Sequence, residues 1–330
     1  MMASIPPAEV LARFMQGRGP VDPSPVSSCR ALGLVAAGMT GPATGLPTRP
    51  MAGIGGLACR ALDLMGASGT APLMMMRPLT PVRPGDDLPD GDDAVIDGSG
   101  AQALVGMTLV SVEALPGEGV IAQAGHLAPA GALLRAGQPV GPADLALCAM
   151  AGIDRLPVRQ VTVDLQGDDG PSRRLLAALL QAEGCRIGPG GPLRLRITPE
   201  AGSGTRLALE GAESASVMSD ADGIALDLPD LVDAVLSCWL ALIRPAIDHL
   251  TARQRPEMPA LALGRKIASP LGLAQVVLLT READGWLPRA PGSLSLDIWR
   301  QARAFVIIPP QDEGLAQGSP VTPMPLHATE

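Results

Sequence analysis

The strongest constraint on this chain is how often it is interrupted. Its 330 residues include 39 glycines and 34 prolines, and these fall between short apolar stretches instead of gathering in one tract. Glycine admits turn conformations and proline removes a backbone donor, so a chain broken this often folds into many short elements joined by turns. One stretch escapes the pattern, GIALDLPDLVDAVLSCWLALIRPAIDHL from Gly223 to Leu250. It reads as a strand, a tight turn and a long helix. Val232, Val235, Leu236, Trp239, Leu240 and Ile243 recur at helical spacing. Pro245 is expected to kink or terminate that helix.

The material for the cores is unusual. Nearly half the residues are apolar (47%), yet the only aromatics are Phe14, Trp239, Trp286, Trp299 and Phe305. Cores must therefore be built from Ala, Val, Leu, Ile and Met, and the length suggests two or three domains. A net charge of −8 disfavours nonspecific binding to nucleic acid or anionic membranes. No apolar run reaches the roughly 18 residues of a membrane span. The opening MMASIPPAEVLARFMQGRG lacks a basic segment followed by an apolar block, so no signal peptide is read. Cys29, Cys59, Cys148, Cys185 and Cys238 are scattered and odd in number, which suits buried free thiols in a reducing cytoplasm.

Val10, Leu11 and Phe14 share one face of a short helix over Glu9–Met15. Ser27 or Ser28 is a candidate cap for a second helix through Cys29–Val35. Met51–Thr80 fits glycine-interrupted helix and short strands equally well. Ala103–Glu113 and Gly119–Ala122 are strand-like and suggest a small β domain. Pro142 opens a helix that Gly152 ends. Val161–Leu165 alternates as a strand. Ser172 is a candidate cap for a helix over Arg173–Glu183 with Leu175, Leu176, Leu179 and Leu180 as its buried stripe. Leu193–Ile197, Arg206–Leu209 and Gly223–Leu226 are further strands, an α/β sequence of elements. Ala260–Ile267, Ala274–Thr280 and Ala304–Ile308 predict a final β-rich domain.

The order and spacing of these segments resemble the molybdopterin molybdenumtransferase family, the MoeA and gephyrin E-domain type. Ala130–Val158 is similar to the family's Arg-x-Gly-x-Asp turn and following helix. VRPGDDLPDGDDAVI, from Val82 to Ile96, is similar to its Thr-Gly-x-x-x-Pro-x-Gly-x-Asp-Ala-Val, with Asp93 on the carboxylate and Pro84 on the threonine. VTVDLQGDDG leads into the place of Thr-Gly-Asp-Glu-Leu: Gln166 stands for the threonine, Gly167 and Asp168 match, and Asp169 stands for the glutamate.

The departures fall on the anion-binding elements. The stretch after Leu193–Ile197 lacks the family's Gly-Gly pair. Pro-Gly-Lys-Pro becomes Gly211-Ala212-Glu213-Ser214. Leu-Pro-Gly-Asn-Pro becomes Leu228-Pro229-Asp230-Leu231-Val232. The arginines of the last domain's Gly-Arg element become Leu273 and Leu278. A carboxylate at 4 Å from a phosphate is repulsive by roughly 1–4 kcal/mol.

The resemblance implies a multidomain α/β protein. Residues 1–158 would form a linker-type domain with a β-rich insertion at about 38–119. Residues 159–252 would form a shortened three-layer molybdopterin-binding-like domain, and 253–330 a C-terminal β-barrel-like domain. It implies molybdate insertion into adenylated molybdopterin with Mg2+, weakened or lost here, and a homodimer. Its site residues map to Asp168 and Asp169 as catalytic, Gly167 and Ser293 as cofactor-binding, and Asp93 and Asp168 as metal ligands. The alternative is a non-catalytic relative that binds a molybdoenzyme, a cofactor or an active paralogue.

Read without the family, these residues keep plainer alternatives. Asp168 and Asp169 also fit a polar turn before a helix. Asp86, Asp87, Asp90, Asp92 and Asp93 also fit an exposed turn. Gly202-Ser203-Gly204-Thr205 fits a hairpin turn as well as an anion cradle. His126, His249 and His327 lie far apart, and His249 suits a helix end. No His/Cys/Asp spacing predicts zinc.

Overall fold

The computed structural model describes residues 4–76, 78–199, 202–219, 223–282, 285–289, 291–292 and 294–326. The expected multidomain α/β architecture is present. The chain divides into two compact units. One holds residues 1–37, 136–140 and 156–330, and the other residues 38–135 and 141–155.

The second unit is built mainly of short strands. Gly56–Cys59 pairs with Thr80–Val82 on one side and Ala94–Ile96 on the other, and Met107–Val110 lies between Ala101–Leu104 and Leu73–Met75. The ambiguous segment at 51–80 therefore resolves as strands with one 3-10 turn at Ala61–Leu64. Its glycines favour this outcome. A Cβ on Gly56 would lie 2.1 Å from Ile96 O, so that strand pairs closely only because the side chain is missing. The helix Pro142–Met150 starts at Pro142 as read, and Asp144 accepts from Gly141 N at 2.8 Å.

The first unit carries a seven-stranded sheet. Its central strands Thr162–Gln166, Leu193–Thr198 and Ile224–Pro229 are parallel. Ser216–Ser219 joins antiparallel to the last of these, followed by Thr205–Leu207. Alternation sends Val163, Leu165, Leu193, Leu195, Leu226 and Leu228 to one face. There they pack with Leu176 and Leu180 of the Pro171–Ala182 helix, with Val235 and Leu236, and with Val10 and Phe14 of the Pro7–Met15 helix. The opposite face shows Asp164, Gln166, Arg194, Arg196, Asp227 and Met218, and among the described residues no helix packs on it. That face is polar because it meets water: Arg196 pairs with Asp227 through two 2.8 Å hydrogen bonds across adjacent strands.

Two local expectations are corrected. Cys29–Val35 is not a helix. One helical turn at Ser28–Ala31 gives way to the strand Val35–Ala36, which pairs with Arg155–Arg159, and Gly33 at φ +78 makes the turn between them. Ser172 does not cap its helix. Gly170 is the cap and Pro171 the first residue, with Ser172 buried just inside.

Of the two outcomes expected at Pro245, the helix is locally distorted and not ended. Val232–Cys238 passes into a π segment, Trp239–Ile243, and then into Arg244–Thr251. Arg244 N–H reaches back five residues to Trp239 O. This widened turn relieves the clash that a proline ring makes with the carbonyl four residues earlier. The helix is held in place by burial, since every residue from Ala234 to Ile243 is buried.

After it comes a six-stranded sheet centred on Gln275–Glu282, flanked by Gly285–Arg289 and Ala304–Ile308. Trp286 fills its core and donates Nε1–H to Pro259 O at 3.1 Å. Four of the five cysteines are buried free thiols, and Cys29 is exposed. No helix of the described residues is long and apolar enough to cross a membrane.

Candidate functional site

In open parallel sheets, ligands bind beyond the carboxyl ends of the strands. Here three connections leave those ends: Gly167–Gly170, the segment after Thr198, and Asp230–Leu231. Each brings a different structural demand.

Gly167 has φ +121, and a Cβ on it would lie 2.6 Å from Ile197 O. Its glycine is required by the neighbouring strand, whatever binds. Asp168 is exposed, and its carbonyl accepts from Gly170 N at 2.8 Å in a tight turn. Asp169 turns the other way. Its two carboxylate oxygens take Arg174 Nε at 3.0 Å and Nη2 at 2.7 Å, with Arg173 Nη1 3.9 Å away. Hydrogen bonds and charge from Arg174 hold the Asp169 carboxyl below its ordinary range. Both oxygens of this candidate ligand are thus already committed to a guanidinium.

The segment after Thr198 is not the hairpin turn favoured by its Gly-Ser-Gly. In the sheet, Leu193–Thr198 and Thr205–Leu207 are separated by two other strands, so this is a crossing connection. Gly202 is hemmed in by a carboxylate, since a Cβ there would lie 2.0 Å from Asp227 Oδ2 and 2.3 Å from Ser216 Oγ. The loop at Gly211–Ser214 buries Ala212 and exposes Glu213.

The third connection places Asp230 over the start of a neighbouring helix. A Cβ on Gly170, the N-cap of the Pro171–Ala182 helix, would lie 3.5 Å from Asp230 Oδ2. Helix N-termini attract anions, and here the chain's own carboxylate stands beside the N-cap residue. Asp233, in the first turn of the next helix, does the same for its own positive end.

The remaining candidates fall elsewhere. Asp93 belongs to the second unit, where its Oδ1 accepts from Ala61 N at 2.7 Å and starts the 3-10 turn. Asp86 accepts from Arg83 N at 2.8 Å and Asp90 pairs with Arg49, so these acidic residues serve turns. Ser293 and His327 lie outside the described residues. Gly292, beside Ser293, faces Glu210, whose Oε1 would be 3.3 Å from a Cβ there. His249 Nε2 meets Arg18 O at 2.6 Å, a structural tie at a helix end. Asp168 and Asp169 are adjacent in one turn. Among the described residues no group of three or more His, Cys, Asp or Glu is arranged to hold a metal ion. Mg2+ is ordinarily held by one or two carboxylates with waters and substrate phosphates, and of the two carboxylates in this turn Asp169 is already paired with Arg174.

Comparison with known proteins gives the fold its context. No protein-family model matches the chain, and no curated protein matches it in sequence. Solved structures do match. Two crystal structures of molybdopterin biosynthesis moeA protein from Pyrococcus horikoshii are 17% and 19% identical, with TM-scores of 0.65 and 0.66. Each alignment covers 98% of this chain, and 100% and 99% of the other. A molybdenum cofactor biosynthesis protein from Pyrococcus furiosus is 14% identical with a TM-score of 0.57, covering 98% of this chain and 100% of its own. The chain has the MoeA fold over nearly its whole length, at an identity low enough for the site to have changed.

Proposed function

We propose that this chain is a molybdenum-cofactor-pathway protein on the MoeA fold in which molybdenum insertion is weakened or lost. The observation that carries the reading is Asp230, whose carboxylate lies against Gly170 at the helix start where a phosphate would otherwise be received. A carboxylate there repels a pterin phosphate instead of binding it. The commitment of Asp169 to Arg174 favours the same conclusion on the metal side.

Its role is then that of a scaffold or chaperone-like relative that engages a molybdoenzyme, the finished cofactor or an active paralogue, as a homodimer in the cytoplasm. The test is a pair of measurements. Titration with molybdopterin should show no binding in the micromolar range, and expression in a strain lacking the transferase should leave molybdoenzyme activity absent. Micromolar binding together with restored activity would overturn the reading and make the chain an active transferase.

A further inference from the structure

One sheet of the second unit is apolar on both sides. Its three strands place Thr108 opposite Met75, Leu109 opposite Met74 and Leu104 opposite Met107. Alternation sends Met75, Thr108 and Val110 inward, where Met75 and Val110 join the core formed with Cys59, Leu64 and Ile96. The outer side carries Met74, Gln102, Leu104, Met107 and Leu109, and Met76 follows directly on its strand. An antiparallel sheet with one wet side alternates apolar with polar residues. Here the outward positions, which water would make polar, are methionine and leucine in all but one case.

This outer side is open. Met74 is 57% exposed, Met76 78% and Leu104 43%. Val105 is 99% exposed, at the tip of the turn that joins Ala101–Leu104 to Met107–Val110. Gly106 supplies the positive φ of that turn (+76). A bare valine beside it is not turn chemistry, which favours Gly, Pro, Asn, Asp or Ser.

The face also lacks charge. Among its described residues Gln102 is the one polar side chain. A charged partner would bring groups that this surface desolvates and leaves unanswered. An uncharged apolar partner fits, and the same face of a second copy is one, in the self-complementary contact of a two-fold dimer. The exposed side chains amount to roughly 400–500 Å2 per copy, the size at which an apolar patch is often functional. Two copies face to face hide on the order of 1,000 Å2, the lower limit for a specific contact. A charge of −8 on each chain opposes the approach and keeps the association weak.

We propose that this methionine-rich face is a contact between two copies of the chain, packed sheet on sheet through Met74, Met76, Leu104, Val105, Met107 and Leu109. Methionine suits it, because a flexible thioether side chain fills a contact without a preformed pocket. The inference gives a surface to the homodimer of the pathway reading and rests on that reading for the copy number alone.

The test is sedimentation equilibrium of the full chain from about 1 to 200 μM, with a dissociation constant expected in the tens of micromolar. Met76→Glu and Leu104→Glu each put a carboxylate on the face and are expected to weaken association at least tenfold. Both positions are exposed, so melting of the dilute protein should not change. Leu271→Glu, at a residue 62% exposed in the first unit, is expected to leave association intact. Mixing Met76→Glu chains with Met76→Lys chains is expected to restore it, because the two faces oppose each other. A mass independent of concentration, a doubling that survives both face variants, an equal loss in Leu271→Glu, or no recovery on mixing would each overturn the proposal. A doubling that survives leaves the homodimer standing and moves its surface elsewhere. A chain that inserts molybdenum yet dimerises through this face sinks the pathway reading alone.

Discussion

The strand ends and the wall beside the long helix balance their charges differently. The strand ends are where an open α/β sheet receives a ligand, and they carry Asp168, Asp169 and Asp230, with Arg174 paired to Asp169. The wall beside the long helix carries Arg244, Arg253 and Arg255 with Glu183, Asp248 and the exposed Glu257. Topology fixes where a ligand is able to bind, while a few side chains decide its sign. The two regions also differ in how their charges are held. Those at the strand ends are exposed and solvated, and those at the wall, Glu257 apart, are buried and locked in a network.

That difference in burial sets the largest expected effect. Glu183→Gln leaves Arg253 and Arg255 facing Asp248 alone in a buried site, and breaking such a network costs about 3–5 kcal/mol. Urea unfolding should show it as a clear fall in midpoint. The matching change at the strand ends, Asp169→Asn, breaks an exposed pair and should leave the midpoint where it was. Equal shifts in the two variants would erase the contrast.

Gly167→Ala comes next. The substitution forces a Cβ toward Ile197 O at a φ of +121, so it should cost about 1–3 kcal/mol. The loss should appear in unfolding whether or not any ligand is present. A neutral result would mean that the glycine is kept for a ligand's approach and not for the fold.

The fold's elements are more legible in the residues than its site is. Strands at Val161–Leu165 and Ala304–Ile308 and the helix from Val232 follow from periodicity alone, because one buried face dictates each. The π segment was hidden because proline reads as a stop unless one knows that the surrounding residues are all buried. The short strands at 51–80 are ambiguous in sequence because their pairing partners lie far along the chain, as in Leu57 with Ile96 and Met51 with Ile121. At the site, the substitution at Asp230 was visible as a letter, but its position over Gly170 depends on two loops meeting. The wall beside the long helix had no local signature at all. Arg253 and Arg255 look like surface residues in a polar linker, and only tertiary contact with Glu183 covers them. An arginine inside an otherwise apolar run, as in ALIRPAI, was the one available hint.

A smaller effect is expected from Asp230→Gly. Removing the carboxylate should free the start of the Pro171–Ala182 helix and strengthen binding of a phosphorylated pterin by about tenfold, or about 1.4 kcal/mol. Titration of the variant beside the parent chain measures it. No gain would show that the missing lysine and Gly-Gly pair matter more than the added charge.

The smallest effect concerns Asp169 itself. Arg174 lowers its pKa in the folded chain, so the pair adds stability above the ordinary carboxylate range. That contribution fades as pH falls through the lowered folded value, where Asp169 takes up its proton. Because both side chains are exposed, the gain is slight and salt will screen it. In Arg174→Gln the Asp169 carboxyl should titrate at a higher pH, seen by carbon NMR of the labelled side chain. The stability curves of parent and variant should meet in strong acid and separate above the ordinary carboxylate range. An unchanged Asp169 titration would mean that this carboxylate is free in solution. It would then remain a candidate metal ligand, and the strand ends would be less closed.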